Sequence, residues 1–481
     1  MSSIEKKQPE QRLRKDAIGL WSIVFFVVAA ASPLAAMLGT VPIVLSAGNG
    51  IGAPAAWVMT GIVLVLFSVG YTTMSRYVTN AGAFYAYIAN GLGRPVGIGG
   101  ALMALLSYNA IQLAIYGLLG FFLHLEVFEH FKIDIAWWVY AVAAAVVCYL
   151  CGRRHVEFSG RLLGLFMLCE VGILLLLDLA VVLKGGAHGL SVTSFAPHNV
   201  FSRGLGVTLV FAVACYVGFE ATAIFSEEAR DAKRTVPIAT YVAVTLIMAF
   251  YTLSSWAAVN GYGASYAVAV ATNDSGNFWF SLSDRYIGRS ATDLMQLLLV
   301  TSIFAGILSF HNTITRYIFA MGREGLIWRT LANTHPRHQS PYVAGLVQTV
   351  IVLIVVGAFA ATKQDPYTIL FAWMSAIATI GILTNQILVA LAVMAFFRRT
   401  QLDRRPWHTL ISPALAAIGL GALLVLVWKN LGMLSGSNSV IVGAFPYVVL
   451  GTGLFGVALG YYLRANRPQL YEGFGALIKS A

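Results

Sequence analysis

The sequence predicts an all-α integral membrane protein that crosses the bilayer twelve times. Three observations predict it: the composition, the length of the apolar runs and the placing of the basic residues. The chain has 481 residues, of which 58% are hydrophobic and only 11% charged. An ordinary soluble domain carries about 25% charged residues, so a surface facing water cannot be assembled here. The 46 glycines suit helices that must approach closely where lipid gives no hydrophobic drive to associate. The runs are continuously apolar rather than alternating, which selects helices over a barrel.

Runs long enough to span fall at about 17–47, 53–75, 96–123, 136–151, 162–183, 204–226, 237–260, 291–320, 342–361, 367–397, 411–429 and 440–463. With both termini inside, 24 of the 31 basic residues fall on inside segments, with Arg398, Arg399, Arg404 and Arg405 in one loop. That bias sets orientation, and losing or gaining one span would invert half of it. Topology therefore explains the net charge of +11 better than nucleic acid does, and no nucleic-acid-binding motif is present.

The expected organisation is a cytoplasmic tail over 1–16, one five-span unit over 17–183 and a second over 204–397. Two further spans follow over 411–463, then a cytoplasmic tail over 464–481. The charged N-terminus precedes a retained span rather than a cleavage site. The longest outside loop, 261–290, carries the turn cluster Asn273 to Asn277 and is too short for a domain. Cys148 and Cys151 form a CxxC without a second pair, so neither zinc nor a disulfide framework is expected.

Function must then reside among the helices. The first run carries Pro33 at its middle, in AAASPLAAM. Proline removes a donor and clashes with the preceding turn. This gives either a plain kink or an unwound segment that binds substrate or ion. Backbone freed at membrane depth must face protein or a watery cavity. In the sixth run, Gly218 accommodates an irregular turn and Tyr216 brings a hydroxyl beside it. Glu220 follows two residues later; it either pins unwound backbone or serves a function, since an intramembrane carboxylate is costly. The two interrupted runs lie five apart and run in opposite directions, the pattern of two inverted five-helix repeats whose broken helices meet at the midplane.

Three ordered segments carry a family resemblance. They are TNAGAFYAYIANGLGRPVG (79–97), GFE followed by EEARDAKRTVPIAT (218–240) and ITRYIFAMGREGLIW (314–328). Over about residues 17–464 the chain resembles bacterial amino acid permeases of the amino acid–polyamine–organocation superfamily. The resemblance implies a LeuT-like fold of two inverted repeats plus two helices, in a cell membrane. It implies a substrate site between spans one, three, six and eight. Unwound span-one backbone would meet the substrate carboxylate, within Ser32, Pro33, Leu34, Ala35 and Ala36. Span-six carbonyls would meet the ammonium, within Ala214, Cys215, Tyr216, Val217 and Gly218.

The chain also departs from the family. Ala35, Ala36 and Met37 stand where a glycine-rich break is usual, and an alternative alignment puts the break at Ser32 and Pro33. Ala214 stands where many relatives carry an aromatic gate, so a lid would come from elsewhere, for instance Phe211 or Phe219.

Other polar residues lie inside the runs. Glu170 in span five either makes a helix–helix hydrogen bond or carries a proton, since a buried carboxyl is protonatable; Asp178 carries less weight. Tyr108, Asn109 and Gln112 can share one face of span three. Ser302 and Ser309 share one side of span eight, near His311 and Asn312. Arg316 and Arg323 could pair with Glu227 or Glu228 as an inner gate, together with Glu324.

The expected function is secondary transport of an amino acid or related amine, driven by protons or by exchange, with membrane lipid around it and no cofactor or metal. A channel would show a filter segment or charge ring. An enzyme would show a nucleophile–base pair or a metal motif, and an ATP-driven pump a P-loop; the sequence contains none of these.

Overall fold

The computed structural model describes residues 19–78, 80, 82–152, 156–335, 340–434 and 440–474. The tail expected over 1–16, Thr79, Ala81, Arg153, Arg154, Arg337 and Lys479 lie outside the described residues. In chain order the helices are α1 (Leu20–Ala31), α2 (Pro33–Ser46), α3 (Pro54–Ser75), α4 (Phe84–Leu92), α5 (Arg94–Phe131), α6 (Trp137–Gly152) and α7 (Val156–Leu183). Then come α8 (Pro197–Val200), α9 (Leu205–Tyr216), α10 (Ala221–Ile224), α11 (Ala232–Tyr262), α12 (Ala264–Asn273) and α13 (Phe278–Tyr286). The chain continues through α14 (Arg289–Arg323), α15 (Tyr342–Ala361), α16 (Ala372–Thr400), α17 (Ser412–Leu434), α18 (Val440–Asn466) and α19 (Pro468–Gly473). No strand occurs among the described residues.

Nine helical stretches of the described residues are long and apolar enough to cross a membrane, and α2 and α6 are shorter apolar helices. The chain is a multi-pass membrane protein. Its layering follows from burial. In the stretch Leu205–Ile224, 94% of the most apolar window is buried, against 33% for Tyr342–Ala361, Trp407–Gly432 and Val440–Asn466. The first is therefore central, and the last three present apolar faces outward, as expected where lipid is the solvent. Around the centre, α1 packs on α7, α11 and α14, while α5 packs on α14, α16 and α18.

The first apolar run is two helices rather than one. Ser32 turns into the left-handed region at φ 44, and Pro33 opens α2 at its first position, where its missing N–H is no loss. Of the two placements open from sequence, the break stands at Ser32 and Pro33, and Ala35 to Met37 are helical. The sixth run is also interrupted. α9 ends at Tyr216, Val217 is extended, Gly218 has φ +111, and α10 begins at Ala221. Within 261–290, expected as a loop, the turn at 274–277 joins two short helices, α12 and α13.

Candidate functional site: a cavity between two helix breaks

The two interruptions face one cavity. It is narrow, with about 40 Å³ open to the centres of water-sized molecules, and is lined by Ala30 to Ser32, Ala35, Ala36, Thr40, Ile111, Ile115, Leu118, Ala214, Cys215, Phe310, Phe371 and Ser375. Among the described residues no charged side chain lines it. Mostly apolar walls with a few polar groups are typical of small-molecule sites.

Breaking a helix releases backbone groups, and their partners can be followed. At the first break the Ala31 carbonyl takes the Tyr251 hydroxyl at 2.8 Å. The Ala35 N–H, in the first turn of α2, donates to Ser302 Oγ at 3.3 Å. Ser302 in turn donates to Glu170 Oε2 at 2.6 Å. Glu170 is 2% exposed, and its Oε1 has no hydrogen-bond partner among the described residues. A buried acid on α7 is thus coupled through one hydroxyl to the backbone of the first break. Gly306 makes room for this, because a Cβ there would collide with the Ser32 hydroxyl.

At the second break the Val217 and Phe219 N–H groups turn to the carbonyls of Ala214 and Tyr216. In a continuous helix they would have bonded Val213 and Cys215, so those two carbonyls leave the helical ladder. The Gly218 N–H donates to Glu220 Oε2 at 3.1 Å, and the Glu220 carbonyl takes the Tyr71 hydroxyl at 2.7 Å. Glu220 is fully buried; its carboxylate caps the unwound backbone, with the Tyr108 hydroxyl beside it.

Of the residues singled out from sequence, Ser32, Ala35, Ala36, Ala214 and Cys215 line the cavity together. Pro33, Leu34, Val217 and Gly218 shape the breaks behind it. Tyr216 turns away, its hydroxyl on the Trp57 carbonyl at 2.8 Å. Gln112 also lies outside the lining. Its Nε2 donates to the Ile307 carbonyl at 3.0 Å and its Oε1 takes Gln348 Nε2 at 2.6 Å, so it ties α5 to α14 and α15. Asn109 bonds back to the Leu105 carbonyl at 2.8 Å. Tyr108 packs on Tyr317, with ring centroids 5.7 Å apart, and Ser309 is buried in α14. Asp178 takes the Ser254 hydroxyl at 2.6 Å.

The lining residues that sequence reasoning missed are mostly apolar. Ile111, Ile115 and Leu118 recur at helical spacing on α5, and Phe310 and Phe371 supply aromatic walls. Phe211 lies 5.6 Å from Phe371, and Phe219 packs instead on Phe67 and Tyr71.

Further contacts tie the helices around the two breaks. On one side, Trp279 of α13 donates to the Met37 carbonyl at 3.0 Å, and the Tyr367 hydroxyl to that of Gly39 at 2.8 Å. On the other, Arg316 grips Glu228 with two bonds of 2.9 and 3.2 Å, donates to the Asn312 carbonyl and lies over the Phe225 ring. Arg323 lies over Phe319, and Glu324 accepts from Asn80 at 3.1 Å. The Glu227 side chain lies outside the described residues.

Comparison with known proteins identifies the family. The amino acid permease family model matches residues 18–455. The branched-chain amino acid permease BcaP of Lactococcus lactis is 23% identical over 79% of this chain and 82% of its own length. The low-affinity putrescine importer PlaP of Escherichia coli is 21% identical over 79% of this chain and 84% of its own. The human Asc-type amino acid transporter 1 is 23% identical over 80% and 72%. These relatives are transporters and not enzymes, and the chain belongs to the amino acid permease family, within the amino acid–polyamine–organocation superfamily.

Proposed function

We propose that this protein carries a neutral α-amino acid across a cell membrane by alternating access, coupled to a proton. One observation carries the reading: two helix breaks open on a single cavity whose side chains bear no charge. A zwitterion suits such a site, because backbone supplies both of its counter-charges. The N-terminus of α2 offers partial positive charge to the carboxylate, and the carbonyl of Cys215, which lines the cavity, offers partial negative charge to the ammonium. A diamine would leave a second cation without a carboxylate in the lining.

Twelve spans support the mechanism. α1 with α2 is the first, α9 with α10 the sixth, and α17 and α18 the last two. The first ten divide into two inverted repeats, 17–183 and 204–397, and both termini are cytoplasmic on the charge bias. Glu170 is the proposed proton carrier. It reaches the first break through Ser302, and protonating it avoids moving an unpaired charge through low dielectric. Tyr251, Cys215 and Tyr216 are titratable groups in the same neighbourhood. Arg316 with Glu228 would form the inner gate.

Uptake of a labelled amino acid panel into proteoliposomes, with and without an inward proton gradient, tests this reading. Accumulation of a neutral amino acid that rises with the gradient is expected. A strict sodium requirement, or uptake of diamines alone, would overturn it.

A further inference from the structure

One polar side-chain atom buried at the cavity wall has no partner among the described residues. Ser375, on α16, lines the cavity. The residue is fully buried, and its Oγ has no hydrogen-bond partner among the described residues. The other polar lining groups are engaged. Thr40 donates to the Ala36 carbonyl and takes the Cys215 thiol, and Ser32 is seated against Gly306. Serines in membrane helices usually bond back to a carbonyl one turn earlier; here that turn, Pro366–Phe371, is π-helical.

The setting of Ser375 is fixed from both sides. Phe371, which ends the turn leading into α16, and Ser375 and Thr379 on α16 recur every fourth residue. The Phe371 ring lies against Phe211, and the Thr379 hydroxyl donates to the Val210 carbonyl at 2.8 Å. Both neighbours are anchored on α9, which holds Ser375 at the wall between them.

We infer that Ser375 is a specificity-determining residue whose hydroxyl selects substrates bearing a side-chain hydroxyl over their alkyl isosteres. The inference rests on the transport reading above. With the carboxylate at α2 and the ammonium at α9, the substrate side chain points to the wall formed by Ile111, Ile115, Leu118, Phe371 and Ser375. An alkyl group there leaves the buried Ser375 hydroxyl unsatisfied, whereas a hydroxyl pairs with it. One such neutral bond in a desolvated site is worth about tenfold in affinity.

Competition against labelled uptake in proteoliposomes, comparing L-threonine with its isostere L-valine, tests the inference on the full-length protein. The parent should favour threonine by about fivefold or more, and S375A should bring the ratio to within about twofold. A parent without preference overturns the inference whether or not S375A assembles. So does a preference that S375A leaves unmoved, while transport itself still stands. A parent that takes up no amino acid overturns both readings.

Discussion

Arg316 is only 1% exposed, and its guanidinium is held by Glu228, the Asn312 carbonyl and the Phe225 ring. Removing one partner of a buried pair leaves an uncompensated charge, while replacing both with neutral groups is often tolerated. Arg316→Ala should therefore destabilise the protein by about 3–5 kcal/mol, and combining Arg316→Met with Glu228→Gln should recover most of the loss. Thermal unfolding in detergent reads this directly, and equal damage from the single and double replacements would dissolve the pairing account. Glu170 poses a different question, because its role is chemical rather than packing. Glu170→Gln keeps size and most hydrogen bonding but cannot titrate. It should still bind substrate yet lose pH-driven accumulation, whereas exchange survives. Accumulation with an unchanged pH profile would make Glu170 a helix–helix contact only.

Among the elements, the two broken helices were legible in the sequence to different degrees. The sixth run carries a lone glycine before a buried acid, and only glycine tolerates the φ of +111 at Gly218. The first run lacks the glycine-rich break usual in the family, so alignment left two placements open; the positive φ of Ser32 decides between them. Gly218→Val should be costly on two grounds. Its Cβ would stand 3.0 Å from that of Ala30, and the backbone strain alone is of order 1–3 kcal/mol. Substrate binding should fall by tenfold or more (about 1.4 kcal/mol per decade), with the fold retained as judged by size-exclusion profile. Unchanged affinity would mean that the second break does not shape the site.

The cavity walls were much less legible. Ile111, Ile115 and Leu118 form an apolar stripe, and in a membrane helix such a stripe faces lipid, another helix or a cavity with the same sequence signature. The polar residues attracted notice instead, and Gln112 proves to be spent on Gln348, 236 positions away. A polar side chain between helices makes a structural bond as readily as a ligand contact, and only the tertiary structure separates the two.

At the scale of the whole molecule, the transport account requires the space between the two breaks to be the substrate site, with the surrounding helices as its support. Position 214 tests this most directly. Ala214 lines the cavity from α9 beside Cys215, and an indole is far larger than the space of about 40 Å³ that the cavity leaves to the centres of water-sized molecules. Uptake by A214W reconstituted in proteoliposomes at the same density as the parent is the decisive measurement. The account predicts that uptake is abolished or restricted to the smallest amino acids, in a protein that still assembles and unfolds at the parent's temperature. Parental uptake kinetics with unchanged selectivity would contradict it and place the substrate elsewhere.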